Sequence, residues 1–124
     1  MKNKRFTLGS QISLPQPIID WAETLKDRAG VFSTIYRNQQ VYLIAAGEQR
    51  TGGYRVAATP DLRQADTVHY VIESPDAADF VIQVITYPYE IVMTEKGKQL
   101  QFIRNEKGRA TPVTPVETLP LTGR

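Results

Sequence analysis

The sequence contains no cysteine and a single histidine among its 124 residues. The absence of cysteine excludes disulfides, thiolate metal sites and cysteine nucleophiles, because each of these needs a thiol sulfur. The single histidine, His69, lacks the second histidine or the acidic loop that metal-binding motifs provide, so we expect no metal and no cofactor.

Long apolar runs and a strong charge imbalance are also absent. No stretch approaches the ~20 apolar residues of a membrane helix, and the basic residues 2–5 are not followed by the apolar core of a signal peptide. We therefore expect a soluble chain without a membrane span, cytoplasmic if Met1 is the native start and extracytoplasmic if a signal segment was removed. Lysine and arginine number 15 against 13 aspartates and glutamates, which does not indicate nucleic-acid binding. We interpret Arg104, Lys107 and Arg109 as solvated charges.

One helix is predicted over residues 14–29. Ser13 and Gln16 match a Ser-x-x-Gln capping box, and the prolines at positions 15 and 17 fit a first turn, where a missing N–H costs little. Gly30 is predicted to end the helix as a left-handed cap. The apolar face, at helical spacing, consists of Ile18, Trp21, Ala22, Leu25 and Ala29. This face predicts that the helix packs against a sheet.

After Gly30 the apolar residues follow the alternation that is typical of strands. Predicted strands cover residues 31–37, 41–46, 54–59, 67–73, 80–87, 89–94 and 99–104. The strand at 41–46 is apolar on both faces, which places it in the middle of a sheet with the helix covering one side. Residues 47–54 contain three glycines and are predicted to form the tip of a β-hairpin between the strands on either side.

This order of elements predicts an α+β fold that is mostly β. We expect an antiparallel β-sandwich or half-open barrel of about seven strands with one packed N-terminal helix. Residues 1–104 are predicted to form a single β-rich domain. Residues 105–124 contain three prolines and no periodicity, so they predict an extended, polyproline-like C-terminal tail.

The residues that could carry chemistry are few and scattered. His69 lies on the more polar face of its strand, which is typical of a structural histidine, but a small hydrolase using His69 or the scattered carboxylates stays open as an alternative. Gly52 and Gly53 do not predict a phosphate site, because a strand and not a helix follows them. Residues 119–123 match the Leu-Pro-x-Thr-Gly pattern of cell-wall sorting signals, and chance and a genuine signal both stay open.

Four motifs in the middle of the chain resemble one known family. They are Ala46-Gly47, Thr51-Gly52-Gly53-Tyr54-x-Val56, Pro75, and Ile85-Thr86-Tyr87-Pro88-Tyr89-x-Ile91-Val92. Together they resemble the C-terminal domain of the protease complex subunit PrcB family, over roughly residues 31–94. The resemblance implies a small bacterial β domain without catalytic activity, which binds and stabilises a partner protein, in the founding example a protease.

The predicted protein-binding site consists of the glycine-rich loop at 47–54 and the bend at 86–89. Its residues are Thr51, Gly52, Gly53, Tyr54, Tyr87, Pro88 and Tyr89. Glycines can present backbone groups to a partner, and tyrosines are enriched in binding hot spots. A purely structural role for both segments stays open. The loop also resembles that of chagasin-type cysteine protease inhibitors, although their full Asn-Pro-x-Thr-Gly-Tyr/Phe motif is absent, since Arg50 precedes Thr51 and a second glycine intervenes. The sequence does not indicate an oligomeric state.

Overall fold

Two β-sheets and one α-helix make up the computed structural model, which describes residues 6–76 and 82–121. The helix α1 spans Gln16–Leu25, and a short 3-10 turn spans Gly9–Gln11. The strands are β1 (Thr7–Leu8), β2 (Gly30–Tyr36), β3 (Gln39–Ala45), β4 (Arg55–Pro60), β5 (Thr67–Glu73), β6 (Tyr89–Glu95), β7 (Gln101–Glu106), β8 (Arg109–Val113) and β9 (Val116–Glu117).

The strands form a sandwich of two open sheets. The first sheet has the order β1-β6-β3-β2-β9 and the second has the order β4-β5-β7-β8. All neighbouring strands are antiparallel except the pairs β2–β9 and β5–β7. The predicted fold class, a mostly β sandwich with one N-terminal helix, is confirmed.

The central strand β3 links two layers of core. Its alternate side chains point to opposite faces, so Val41 and Leu43 pack under the helix with Ile18 and Trp21. Ile44, on the other face, packs against the second sheet. The predicted position of this strand, in the middle of a sheet with the helix on one side, is confirmed.

The ends of the helix differ from the prediction. Pro15 occupies the N-cap without a side-chain hydrogen bond, so the predicted capping box of Ser13 and Gln16 is wrong. The helix ends four residues early, where the Lys26 N–H donates to the Ala22 carbonyl. Gly30 does not cap the helix but begins β2, because the intervening residues are needed to turn the chain into the sheet.

Residues 47–54 do not form a hairpin tip, and that prediction is wrong. Strand β3 pairs with β2 on one edge and β6 on the other, while β4 pairs with β5 in the second sheet. Because both edges of β3 are occupied, β4 has no place beside it. Residues 47–54 therefore carry the chain from the first sheet to the second.

The predicted strand at 80–87 is also wrong in its described part, while residues 77–81 lie outside the described residues. Residues 82–88 form no extended ladder, and their one β-bridge joins Thr86 to Gln49. Strand β6 begins only at Tyr89, immediately after a proline that has no N–H to donate.

The C-terminal segment pairs with both sheets, which its composition does not predict. Strand β8 extends the second sheet beside β7, and β9 adds a short parallel strand beside β2. The Leu119 carbonyl accepts a hydrogen bond from the Thr34 hydroxyl at 2.7 Å. Residues 122–124, the end of the Leu-Pro-x-Thr-Gly pattern and the last residue of the chain, lie outside the described residues. The division of the chain at residue 104 stays a prediction.

No helix in the described ranges has both the length and the apolar composition needed to cross a membrane.

Candidate functional site

The two halves of the predicted site lie side by side. Gln49 and Thr86 exchange backbone hydrogen bonds, with N···O distances of 2.9 and 2.8 Å. The Thr86 hydroxyl donates to the Thr51 carbonyl at 3.0 Å, and the Gly52 N–H donates to the Ile82 carbonyl at 2.9 Å. The loop and the bend therefore form one connected unit, which we call the loop–bend surface (residues 47–54 and 86–89).

The threonine and glycines of the loop have identifiable local roles. Gly47 has a φ of 79° and Gly53 a φ of 94°, in the left-handed region that side chains disfavour. The Thr51 carbonyl accepts a bond from Thr86 of the bend, and the Gly52 N–H donates to Ile82, which precedes the bend. Gly53 is exposed. These positions hold the loop in shape, and Gly53 presents backbone to solvent.

Tyr87 and Tyr89 lie beside the helix. The Lys26 ammonium is 5.5 Å from the centroid of the Tyr87 ring, a cation–π distance. Tyr89 packs against the helix-side core, and this burial raises the pKa of its hydroxyl. The Pro88 carbonyl accepts the Ala46 N–H at 3.0 Å. The bend is therefore anchored to β3 and partly covered by α1.

Tyr54 contributes to a different surface feature. It lines an open cleft of about 360 Å³ at the end of the sandwich. We call this the end cleft, and its lining residues are Ala46, Gln49, Tyr54, Val71, Ile72, Ser74, Arg104, Asn105, Glu106 and Lys107. The three tyrosines of the predicted site are thus divided between two surfaces, Tyr54 in the end cleft and the others beside the helix.

Arg104 brings a partly buried positive charge to the end cleft. Its Nε atom is buried and has no hydrogen-bond partner among the described residues. Its Nη2 atom is 3.7 Å from a Glu106 carboxylate oxygen, too long for a hydrogen bond. A buried donor without a partner costs about 1–3 kcal/mol. Arg104 is therefore solvated only in part, since its side chain is 35% exposed while its Nε is buried.

The alternation of side chains along the strand predicts on which face of the sheet Arg104 lies. Phe102, two residues earlier on β7, is buried between the sheets, and a strand places every second side chain on the same face. Arg104 also lies near the buried Tyr70, whose pKa is raised by burial and lowered in part by the guanidinium. An arginine in phase with a core phenylalanine is a candidate for a polar site inside a cleft.

His69 is held from both sides. Its Nε2 atom is 2.6 Å from an Asp61 carboxylate oxygen, and its Nδ1 atom is 3.1 Å from the amide nitrogen of Asn105. Because the Asn105 amide donates to Nδ1, the ring proton sits on Nε2 and is donated to Asp61. This bond, helped by the backbone N–H groups of Arg63 and Gln64, lowers the pKa of Asp61 to about 2. Both ring nitrogens are engaged, as in a structural histidine.

The described residues contain no group of three or more histidine and acidic side chains placed to hold a metal ion.

A protein-family model described as PrcB C-terminal matches residues 41–95. No curated protein and no solved structure matches the chain. The matched segment runs from β3 to the end of β6 and includes the whole loop–bend surface. The resemblance predicted from the sequence motifs is confirmed: residues 41–95 match a PrcB C-terminal-like domain.

Proposed function

We propose that this PrcB C-terminal-like domain is a non-catalytic protein-binding module, and that a partner protein contacts the loop–bend surface together with the adjacent residues 82–85. One observation carries the proposal. The side chains of Ile82, Val84 and Ile85 are 66%, 48% and 52% exposed, and their segment is hydrogen-bonded directly to the loop. Apolar side chains gathered next to a rigid loop are typical of an interaction site.

The size of the effect suits a protein interface. Burying a large apolar side chain contributes about 1.5–3 kcal/mol, and these three are about half exposed. Covering them would contribute roughly 2.5–5 kcal/mol, before the cost of association. Gly53 and the exposed part of Tyr87 would add backbone and aromatic contacts at the edge of this patch.

The resemblance to the PrcB family suggests the kind of partner. We propose a bacterial partner protein, with a protease as the first candidate to test. No observation favours the hydrolase alternative, because both ring nitrogens of His69 are engaged. None favours a chagasin-like inhibitor either, because the loop is hydrogen-bonded to residues 82–86 and does not project freely.

Photo-crosslinking in the native host tests the proposal. A benzoylphenylalanine replaces Val84 in one protein and Leu62 in a control. Leu62 is an exposed apolar residue in the connection that follows β4, at the opposite end of that strand from the loop. We expect the probe at position 84, and not at 62, to form a specific product that an excess of unlabelled wild-type protein competes away.

The competitor also provides a second control. An unlabelled Ile82→Ser/Ile85→Ser variant should compete much less well than the wild type, because it lacks the apolar side chains of the patch. Identical products from positions 84 and 62, or equal competition by the variant, would show that this surface does not bind the partner.

A further inference from the structure

One hydrogen-bonding edge of the Arg104 guanidinium lacks a close partner among the described residues. The Nε–H and one Nη2–H of an arginine point in the same direction and form the fork that a carboxylate can bridge with two parallel bonds. In Arg104 the Nε–H has no partner among the described residues, and Nη2 has only the loose contact with Glu106. The fork therefore lacks the two short bonds that it is able to make.

Glu106 lies near the Arg104 guanidinium but is too far away to accept a hydrogen bond from it. Its carboxylate oxygen is 3.7 Å from Nη2, and its side chain is largely exposed at the cleft. A carboxylate from another molecule could displace this exposed side chain at little cost and bond to both fork nitrogens. Lys107, which also lines the end cleft, adds a second positive charge. The charge and the geometry both favour a carboxylate.

The rest of the end cleft favours a peptide over a small ion. Apolar and aromatic side chains, Val71, Ile72 and Tyr54, lie beside the charged group. The volume of about 360 Å³ is near the lower end of the range for ligand pockets, roughly 300–1,000 Å³. Gln49 and Tyr54 belong to the loop–bend surface as well, so a chain bound there could reach the cleft.

We propose that the end cleft binds the carboxylate of a glutamate or aspartate side chain in an extended segment of the partner protein, through the Nε–Nη2 fork of Arg104. This inference rests on the protein-binding role proposed above. It names the chemistry that the partner must provide, an acidic residue with apolar neighbours.

Peptide titration followed by NMR tests the proposal. The probes are acetyl-Gly-Val-Glu-Val-Gly-amide, the same peptide with glutamine in place of glutamate, and sodium acetate. The ¹⁵N-labelled full chain is used, and the Arg104 Nε–H resonance reports directly on a bond to the fork. We expect the glutamate peptide to shift this resonance and to bind about tenfold or more tightly than the glutamine peptide, since hydrogen bonds to charged groups are strong.

Three variants separate the fork from charge alone. Arg104→Lys keeps the charge but loses the fork, and we expect it to bind the glutamate peptide about tenfold more weakly. Glu106→Gln removes the competing carboxylate and should bind more tightly than the wild type. Arg63→Gln, which alters an exposed arginine in the connection between β4 and β5, should bind like the wild type.

Several results would overturn the proposal. One is equal affinity for the two peptides, and another is unchanged binding in Arg104→Lys. A third is the absence of binding to both wild type and Glu106→Gln at millimolar peptide. Acetate binding as tightly as the peptide would assign the fork to small carboxylates instead. The titration uses no partner protein, so its failure would leave the crosslinking result at Val84 unaffected.

Discussion

Replacing Gly47 with alanine tests how the first residue of the loop–bend surface is held. Gly47 is buried directly after β3 and has a φ of 79°. A Cβ added there would lie 3.1 Å from the Ala29 backbone nitrogen and 3.2 Å from the Ala29 Cβ. The substitution therefore strains the backbone and also crowds the connection between α1 and β2.

The expected loss of stability is the sum of three effects. Alanine in the left-handed region costs roughly 1–2 kcal/mol. The close contact with Ala29 adds about 1 kcal/mol, at the low end of the cost of overpacking. The smaller conformational freedom of alanine in the unfolded chain returns about 0.4–1 kcal/mol. We expect the free energy of unfolding to fall by about 1–2.5 kcal/mol.

Gly108→Ala provides a matched control. Gly108 has the same φ of 79°, but an added Cβ would meet no atom within 4 Å. The two variants should therefore differ by the contact with Ala29 alone, about 1 kcal/mol. In urea unfolding this difference corresponds to a midpoint lower by about 0.5 M for Gly47→Ala, with a slope of about 2 kcal/mol/M.

Equal urea midpoints for the two alanine variants would refute this reasoning. A double-mutant cycle tests whether the contact with Ala29 causes the loss of stability. Adding Ala29→Gly removes the Cβ contact and should recover part of the loss in Gly47→Ala, whereas in the wild-type background it relieves no strain. A cycle with no coupling between the two positions would show that the contact contributes nothing.

Three further predictions concern the loop, the C-terminal segment and the acidic partner of His69. Gly52→Ala should leave the thermal midpoint unchanged or slightly higher, because the added Cβ meets only a carbonyl oxygen at 3.9 Å. A large drop in the midpoint would contradict this expectation. A loss of crosslinking at Val84 with unchanged stability would indicate that Gly52 takes part in binding. Thr118→Val should cost about 1–3 kcal/mol and alter the fluorescence of Trp21, the only tryptophan, since the indole N–H loses its 3.0 Å bond. The exposed control Thr111→Val should change neither stability nor fluorescence. The pKa of Asp61 is lowered, so the stability that this carboxylate contributes is present above its ordinary pKa of 3.8 and is lost as the pH falls through about 2. In an NMR titration the chemical shift of its carboxyl carbon should have a midpoint near pH 2. A midpoint near 3.8 would contradict the bond to His69.

The alternation of apolar residues was sufficient to predict most strands and the buried side of the helix. Val68 and Tyr70 face the core from β5, as their spacing predicts. The alternation places Arg104 on the same face of its strand as Phe102, but it does not identify Arg104 as part of a site. The strand pattern does not tell whether this end of the face is covered by the other sheet or left as a cleft. The recognised motifs locate the loop and the bend, but not the division of their tyrosines between two surfaces.

The apolar segment before Pro88 shows where local reasoning stops. Its composition is typical of a strand, yet residues 82–85 lie outside both sheets with apolar side chains exposed. A strand needs a free edge to pair with, and both edges of β3 are taken by β2 and β6. Whether such an edge is free depends on segments far away in the chain.

The sequence alone therefore determined most of the strands, which face of the helix is buried and which family the central segment resembles. These depend on local periodicity and on short motifs, which the printed residues contain in full. The tertiary structure decided that residues 47–54 cross between sheets, that the loop and the bend bond to each other, and that Arg104 lines a cleft with its Nε unpaired. These depend on competition for strand edges and on side chains brought together from distant positions, which no local pattern records.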